Sequence, residues 1–314
     1  MRYLITGGAG FIGVALANYL VENGHHVRVL DDLSTGDPDR LDRRVLFSRG
    51  DVRNVPVLWT HLQDVECVFH LAARVAVPES ILYPQEYNDV NVGGTVALLT
   101  AMRDVGASRI VLASSAAVYG EQPQQPVREE MLPNPDSPYA VSKIAAEQYL
   151  FTLSRLYGLQ AVALRIFNAY GPGQRIPPAH APVAPLFLKR ALGGGSLVIH
   201  GDGKQSRDFV YIDDVVRALA SASQTDDAVG QTINIGSGEE TTLRQLAAKV
   251  EIVTGRETQM LMNETQRGGV SRLVADVQKA QQVLGYQPQV TLTDGLRLLL
   301  ARDAQFERRR VLAV

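Results

Sequence analysis

The feature that most constrains this sequence is a glycine-rich turn at residues 6–13, TGGAGFIG. The mainly apolar residues 2–5, RYLI, lead into the turn and apolar residues at helical spacing follow it, which predicts a strand, a tight turn and a helix. Gly7 permits the turn, Gly10 lets a pyrophosphate approach the backbone, and Gly13 lets the helix pack against the strand. Free N–H groups at such a helix start favour an anion. The sequence therefore predicts a phosphate-binding turn.

A second strand ends in two carboxylates that suit the same kind of site. Residues 27–30 are apolar at alternate positions and run into Asp31 and Asp32. In dinucleotide-binding folds a carboxylate about 20 residues after the glycine turn binds the adenosine ribose. The pair supports dinucleotide binding; the alternative is a structural turn followed by an ordinary polar strand end.

The composition argues against several classes of partner. The chain has 314 residues, 46% of them hydrophobic, a formal net charge of −2, and a single cysteine, Cys67. This charge implies no basic face, so we expect no nucleic-acid partner. The histidines lack metal-ligand spacing, and a lone thiol fits a reducing compartment. No apolar run approaches the ~20 residues that cross a bilayer. We expect a cytoplasmic protein without metal or membrane partners.

Strand and helix patterns alternate along the first half of the chain. Three of the apolar strands lead into Asp51, Ala72 and Ser115. Near-continuous apolar strands separated by helices predict an α/β fold with a Rossmann-type, doubly wound parallel sheet, in which ligands bind at the carboxyl ends of the strands.

Beyond residue 167 the alternation gives way to proline-rich loops. We therefore expect a cofactor-binding domain at residues 1–167, to which the chain returns around 210–235. A smaller, interleaved C-terminal substrate lobe is expected mainly from residues 168–209 and 236–314.

Tyr139, Lys143 and Ser115 are the candidate catalytic residues. Tyr139 and Lys143 are four apart on a predicted helix, so they share a face. An ammonium near a phenol lowers the phenol pKa from about 10, and a phenolate can take a proton from a substrate hydroxyl. Ser115, at a strand end, can bind the same oxygen. A tyrosine and a lysine at this spacing also occur by chance, so the glycine turn and the strand end are needed to support the assignment.

Several motifs resemble those of the extended short-chain dehydrogenase/reductase family. They are GGAGFIG at 7–13, SSAAVYG at 114–120, YAVSK at 139–143, RIFN at 165–168, GDG at 201–203, RDFVYIDD at 207–214 and LGY at 284–286. Within that family the chain is most similar to the NAD-dependent nucleotide-sugar epimerases of the UDP-glucose 4-epimerase type, and the resemblance runs nearly end to end.

The resemblance implies a mechanism and a set of contacts. Tyr139 would be the general base on the sugar 4-hydroxyl, Ser115 would hold that hydroxyl, and Lys143 would bind the nicotinamide ribose. NAD would take a hydride from carbon 4, and the 4-keto sugar would turn over before the hydride returned to its other face. The implied NAD-binding residues are Gly7, Gly10, Phe11, Ile12, Gly13, Asp31, Asp32, Asp51, Val52, Leu71, Ala72, Ala73, Asn91, Tyr139 and Lys143. The implied substrate-binding residues are Ser115, Asn168, Arg207, Arg267 and Leu273.

Two of the substrate assignments have structural alternatives. Asn168 and Arg207 would face the phosphates of a sugar nucleotide, a task that suits an arginine fork. Asn168 could instead cap a turn, and Arg207 could form a surface ion pair with Asp208.

Ala116 and Ala117 favour epimerisation over related reactions. Dehydratases that resemble this chain carry an Asp-Glu pair there and decarboxylating relatives carry a Glu, whereas alanine cannot transfer a proton. Asp31 disfavours NADP by charge repulsion. A nucleotide-sugar reductase or dehydratase and a non-catalytic NAD-binding regulator stay open as alternatives.

The sugar is left open by the sequence. Leu273 occupies a gate position where relatives carry either a bulky tyrosine or a small residue, and Gly269 stands where an acid is usual. UDP-glucose and UDP-galactose are the default substrates, with UDP-N-acetylhexosamine and UDP-glucuronate as alternatives. Relatives commonly pair the helices predicted here at 91–105 and 139–157 across a dimer, so the resemblance implies a homodimer.

Overall fold

The computed structural model describes residues 1–263 and 269–306. Within these ranges thirteen β-strands follow one another in chain order: β1 Arg2–Thr6, β2 His26–Asp31, β3 Leu46–Arg49, β4 Cys67–His70, β5 Arg109–Ser115, β6 Gln160–Ile166, β7 Asn168–Tyr170, β8 Leu197–His200, β9 Ser206–Tyr211, β10 Thr232–Ile235, β11 Glu240–Thr242, β12 Met260–Asn263 and β13 Arg272–Leu273. The same ranges contain eleven α-helices: α1 Phe11–Glu22, α2 Val55–His61, α3 Val77–Leu82, α4 Pro84–Tyr87, α5 Gly94–Val105, α6 Pro138–Tyr157, α7 Val183–Leu192, α8 Ile212–Ala222, α9 Leu243–Thr254, α10 Gln278–Leu284 and α11 Leu292–Arg302.

Seven strands form one sheet in the order β10-β6-β5-β4-β1-β2-β3. Every neighbouring pair in it is parallel. The strand order reverses between β1 and β4, and ligands of such sheets bind at the carboxyl ends of the strands beside this reversal. The predicted doubly wound parallel sheet of the Rossmann type is confirmed.

Helices cover both faces of this sheet because successive side chains of each strand point in opposite directions. In β1, Tyr3 and Ile5 join a buried cluster with Leu16 of α1. Leu4, between them, joins a second cluster with Leu99 of α5. Cys67, the first residue of β4, is fully buried within the first cluster.

The remaining strands form two smaller sheets. Four of them form one sheet around β9, with β11 antiparallel to it and β13 and β7 parallel to it. β8 and β12 pair separately. The register of β9 with β13 places Arg207 opposite Leu273. Two residues that the resemblance assigns to substrate binding are therefore neighbours.

The helix predicted from residue 91 starts differently in the structure. A π-helical turn, Asn88–Gly93, precedes α5, which begins at Gly94. Glycine stabilises a regular α-helix poorly, and glycines lie at the junction between this π-helical turn and α5. Single π-helical turns often occur at functional sites. Among the described helices, none combines the length and the hydropathy that a membrane crossing requires.

Candidate active site

The glycine turn between β1 and α1 has no room for larger residues at two positions. Gly7 adopts a φ of 70°, and a Cβ there would lie 2.6 Å from the backbone nitrogen of Ala72. A Cβ at Gly13 would lie 2.4 Å from the carbonyl oxygen of Gly7. Because backbone atoms cannot yield at either contact, both positions require glycine.

The N-terminus of α1 is open on the side of this turn. Gly10 precedes the helix, no side chain caps it, and its first turn carries no acidic residue. A Cβ at Gly10 would meet only one neighbour within 4 Å, the carbonyl oxygen of Gly7 at 3.2 Å. Phe11 and Ile12 begin the helix and are half-buried. Uncapped N–H groups beside open space fit the pyrophosphate of NAD.

Asp31 lies at the carboxyl end of β2, close to the glycine turn. Its carboxylate accepts hydrogen bonds from the backbone N–H groups of Ala9, at 3.0 Å, and Leu33, at 2.8 Å. Burial raises the pKa of Asp31. Each carboxylate oxygen keeps a further lone pair with which it could accept a ribose hydroxyl. Asp32 is exposed and accepts the N–H of Ser34 at 2.8 Å.

The predicted adenine contacts differ in their surroundings. Asp51 accepts hydrogen bonds from the Arg53 side chain, with the closest contact to Nη2 at 2.5 Å, and these bonds lower its pKa. Val52 is buried, and its side chain leaves no room for a Cβ at Gly94. Asp51 therefore shares any cofactor contact with Arg53, while Val52 packs under α5.

Asn91 connects two parts of the predicted cofactor channel. Its side-chain amide donates to the carbonyl oxygen of Arg74 at 3.0 Å and to the Ser142 hydroxyl at 2.8 Å. Its amide oxygen accepts the N–H of Arg74 at 2.8 Å. These bonds fix the loop after β4, where the half-buried Leu71, Ala72 and Ala73 lie, against α6. The geometry gives Asn91 a bracing role beside its predicted contact with NAD.

Helix α6 carries two of the candidate catalytic residues in its first two turns. The Ser137 hydroxyl caps the helix by accepting the N–H of Ala140 at 3.3 Å. Pro138 occupies the first helical position. Both are favourable helix-start residues, so the local sequence fixes where α6 begins and hence where its side chains point.

The structure brings Ser115, Tyr139 and Lys143 together. Ser115 is the last residue of β5, and its side chain lies close enough to Tyr139 to act on the pKa of the phenol. The Lys143 ammonium donates to the carbonyl oxygen of Ala113 at 2.6 Å, two residues before Ser115. All three lie at the carboxyl edge of the main sheet, as the sequence predicts.

The electrostatics of this group differ from the sequence-based expectation. Burial raises the pKa of Tyr139 and outweighs the effect of the Ser115 side chain, which acts in the opposite direction. Burial also lowers the pKa of Lys143 to about 8, against the opposing effect of Glu147. The expected lowering of the Tyr139 pKa by Lys143 is not seen: desolvation of the phenol dominates, and Lys143 is not among the groups that shift this pKa.

Glu147 is a buried charge beside the catalytic group that sequence reasoning missed. It accepts hydrogen bonds from Arg165, at 3.0 Å from Nε and 2.8 Å from Nη2, and from the Ser114 hydroxyl. The side chains of Arg165 and Glu147 are 6% and 2% exposed. Arg165 also lies 4.7 Å from the ring centre of Tyr119. Glu147 follows Lys143 by four residues, and this spacing was the available signal.

His70 is a second buried group that the sequence interpretation did not use. Its two ring nitrogens form hydrogen bonds with the Thr6 hydroxyl, at 2.8 Å, and the Thr95 hydroxyl, at 2.9 Å. Burial lowers its pKa to about 3, with a smaller contribution from Lys143. The imidazole is therefore neutral and connects β1, β4 and α5 at the carboxyl edge of the sheet.

The predicted substrate residues lie in different surroundings. Arg207 is half-buried, donates to the Ser206 carbonyl oxygen at 2.7 Å, and has its pKa lowered by desolvation. Leu273 packs in an apolar cluster with Ala116 and Phe167. Leu273 is thereby brought close to the residue that follows Ser115.

Two other predicted substrate residues are less informative. Asn168 begins β7 and is exposed, opposite Phe209 of β9. Arg267 falls outside the described residues. Within residues 1–263 and 269–306 no cluster of His, Cys, Asp or Glu side chains is placed to hold a metal ion.

Asp208 does not form the surface ion pair considered as an alternative. It is fully buried in β9. Its carboxylate accepts the backbone N–H groups of Ser237, Gly238 and Ala275 and the Ser237 hydroxyl, at distances of 2.6 to 3.1 Å. Asp208 therefore joins neighbouring loops to β9, next to Arg207.

Three comparisons with known proteins agree with this geometry. The UDP-glucose 4-epimerase of Mycolicibacterium smegmatis is 37% identical over 99% of both chains. A solved structure of UDP-glucose 4-epimerase from Thermotoga maritima with UDP-glucose has a TM-score of 0.92 and 36% identity, covering 99% of this chain and 100% of that one. A UDP-glucuronic acid 4-epimerase from Bacillus cereus, in complex with UDP-glucuronic acid and NAD, has a TM-score of 0.88 and 33% identity over 99% and 100% of the two chains.

The family assignment follows from the match and from the site together. The model of the NAD dependent epimerase/dehydratase family matches residues 3–236, which span the glycine turn and the Ser115, Tyr139 and Lys143 group. The chain therefore belongs to the NAD dependent epimerase/dehydratase family, within the extended short-chain dehydrogenases/reductases.

Proposed function

We propose that the chain is an isomerase that epimerises a UDP-hexose at carbon 4 with NAD as cofactor, UDP-glucose and UDP-galactose being the default pair. The observation that carries the proposal is the assembly of Ser115, Tyr139 and Lys143 at one edge of the sheet that also presents the uncapped N-terminus of α1. Full-length relatives named UDP-glucose 4-epimerase support the same reaction.

The side chains present suit the chemistry. NAD, when bound, supplies a reversible hydride acceptor at carbon 4. Tyr139 takes the proton of the 4-hydroxyl and returns it, Ser115 holds that oxygen, and Lys143 binds the nicotinamide ribose. Ala116 and Ala117 follow Ser115 and cannot transfer a proton, so nothing at these positions promotes loss of water. The 4-keto sugar is therefore reduced again rather than dehydrated.

The division of the chain is part of the proposal. β10 and α8 come from the stretch around residues 210–235, and β10 lies in the main sheet beside β6 while α8 shares its buried cluster with α1. This supports a cofactor domain made of residues 1–167 and that returning stretch. Residues 168–209 and 236–314 would then form most of the substrate lobe, with Arg207 and Leu273 facing the UDP-sugar.

A homodimer is proposed on the basis of exposed apolar side chains along α6. Val141, Tyr149 and Leu156 are 51%, 45% and 72% exposed. Pairing of α5 and α6 with the same helices of a second copy would cover them. Light scattering of the purified protein should give twice the chain mass, and Leu156→Glu should reduce it to one. We place this enzyme in the cytoplasm, where the buried thiol of Cys67 would stay reduced.

The reaction is tested by proton NMR of the purified protein without added cofactor. UDP-galactose, UDP-N-acetylgalactosamine and UDP-glucuronate are supplied in separate samples, and the carbon-4 epimer is expected from at least the first. This outcome also shows that NAD stays bound through purification. If no sample changes, even with NAD added, the epimerase proposal is wrong; a 4-keto-6-deoxy product would indicate a dehydratase.

Tyr139→Phe tests the assigned base. Because the phenol oxygen is removed while the ring stays, turnover should fall about 100- to 10,000-fold, and the absorbance of bound NAD separates loss of the base from loss of cofactor. Tyr83→Phe is the matched control, since Tyr83 is 56% exposed and lies outside both the candidate site and the helices of the proposed dimer. Equal activity of the two variants would exclude Tyr139 as the base.

A further inference from the structure

Two loops that are far apart in the sequence are joined by a crossed pair of arginines. The first loop follows β2 and comprises residues 32–41, here called the β2 loop. The second follows β7 and comprises residues 171–175, here called the β7 loop. Arg40 of the β2 loop donates to the carbonyl oxygen of Gly173 at 2.8 Å. Arg175 of the β7 loop donates in the opposite direction, to the carbonyl oxygen of Gly36 at 3.3 Å.

The β7 loop is shaped to receive Arg40. Gly173 has a φ of 83°, and a Cβ there would lie 1.5 Å from Nη2 of Arg40. The Arg40 guanidinium thus occupies the space that a side chain at position 173 would need. Behind it, the N–H of Gly173 donates to the carboxylate of Asp303 at 2.6 Å. Asp303 is buried at the end of α11, so the receiving loop is itself anchored.

The β2 loop is anchored at the other side to the cofactor turn. The N–H of Asp37 donates to the carbonyl oxygen of Ala9, inside the glycine turn, at 2.8 Å. Asn18 of α1 donates to the carbonyl oxygen of Arg40 at 3.0 Å. Gly36 lies against Asp31, since a Cβ on Gly36 would be 2.8 Å from the Asp31 carboxylate. The β2 loop therefore connects the predicted ribose carboxylate to the β7 loop.

We propose that Arg40 and Arg175 form a clasp that holds the β2 loop against Asp31 and thereby slows the release of NAD. This inference rests on the proposed function only in taking NAD as the cofactor. Arg40 is the main positioning residue, because its bond is short and half-buried, whereas that of Arg175 is longer and exposed. An isomerase that regenerates its NAD in every cycle gains from slow release, since it never exchanges the cofactor for turnover.

The test compares Arg40→Ala with Arg43→Ala, an exposed arginine three residues further along. Each protein is loaded with NAD, freed of excess by gel filtration, and sampled over time for bound NAD by chromatography after denaturation. Arg40→Ala should release NAD about 10-fold faster than Arg43→Ala or the wild type, because a hydrogen bond from a charged donor is lost. Arg175→Ala should accelerate release less.

The outcomes separate the clasp from the proposed function. If the wild type binds NAD and Arg40→Ala releases it no faster than Arg43→Ala, the clasp is wrong and the proposed function stands. If the wild type binds no NAD, the result contradicts the proposed function, and with it the clasp. Thermal unfolding checks that Arg40→Ala is folded. Should it not fold, Arg40→Lys replaces it: its ammonium cannot fill the space against Gly173 as a guanidinium does, so release at the wild-type rate would again overturn the clasp.

Discussion

Two fully buried carboxylates, Glu147 on α6 and Asp208 on β9, are stabilised in different ways. Glu147 lies behind the catalytic group and forms a two-point ion pair with Arg165. Asp208 lies in the four-stranded sheet around β9 and accepts hydrogen bonds from neutral donors, namely three backbone N–H groups and one hydroxyl. The negative charge of Glu147 is balanced by a positive charge, whereas that of Asp208 is stabilised by the dipoles of neutral hydrogen-bond donors.

The difference matches what each region holds in place. Near Lys143 an unbalanced carboxylate would change the charge of the catalytic group, whereas the pair of Glu147 and Arg165 is neutral overall. The pair also joins α6 to the ends of β5 and β6. Asp208 instead gathers loops around β9, and burial raises its pKa. We infer that charge balance is needed beside the candidate catalytic residues, whereas loops must be connected around β9.

Glu147→Gln should produce the largest loss of stability. The substitution leaves the Arg165 guanidinium buried without its partner, so the free energy of unfolding should fall by about 3–5 kcal/mol. Urea unfolding measures this. Glu240→Gln is the control, because Glu240 pairs with Arg272 in an ion pair with side chains 36% and 54% exposed and should cost less than about 1 kcal/mol. Similar losses for the two variants would contradict the distinction.

Acidification should destabilise the catalytic edge through His70. Its pKa is about 3 in the fold and 6.5 ordinarily, so between these values the unfolded chain binds more protons. Stability should therefore fall as the pH drops from 6.5 to 4, by about 3 kcal/mol from this group. His70→Gln should show a shallower fall in urea midpoints over that range. The contribution of Asp208 to the pH dependence has the opposite sign. Its raised pKa favours protonation in the folded state, so this contribution to stability increases as the pH falls. Parallel pH curves for wild type and variant would refute the assignment to His70.

Asp208→Asn should have a smaller effect than Glu147→Gln. One carboxylate oxygen becomes an amide that cannot accept, so at least one buried donor loses its partner, at a cost of about 1–3 kcal/mol. The unfolding midpoint in urea gives the value, and Asp227→Asn, at an exposed site, should leave the midpoint near that of the wild type. If the free energy of unfolding fell as much as in Glu147→Gln, a buried carboxylate with neutral donors would depend on its partners as strongly as one in an ion pair.

Main-chain requirements could be predicted from the sequence, whereas most side-chain partners could not. The need for glycine at positions 7 and 13 follows from spacing and from the strand-turn-helix pattern. The meeting of Ser115 with Tyr139 follows from a strand end and a helix start at one edge of a parallel sheet. The pairing of Glu147 with Arg165 depends on the alignment of β5 with β6, which places Ser114 beside Arg165.

Burial explains the sequence predictions that did not hold. The spacing of Tyr139 and Lys143 says which groups are near each other, but the sign of the Tyr139 pKa shift depends on how much water is removed. In the same way, the polar pair Arg207 and Asp208 reads as a surface feature, whereas in β9 Asp208 is fully buried and Arg207 is half-buried.

The burial of Cys67 has a practical consequence for spectroscopy. It is the single cysteine of the sequence, it is fully inaccessible, and burial raises its pKa to about 12. A thiolate-directed probe therefore finds no target on the native surface. One introduced cysteine, such as Arg43→Cys beside the β2 loop, would be labelled alone, so a fluorophore could be attached at a chosen point without first removing a native thiol.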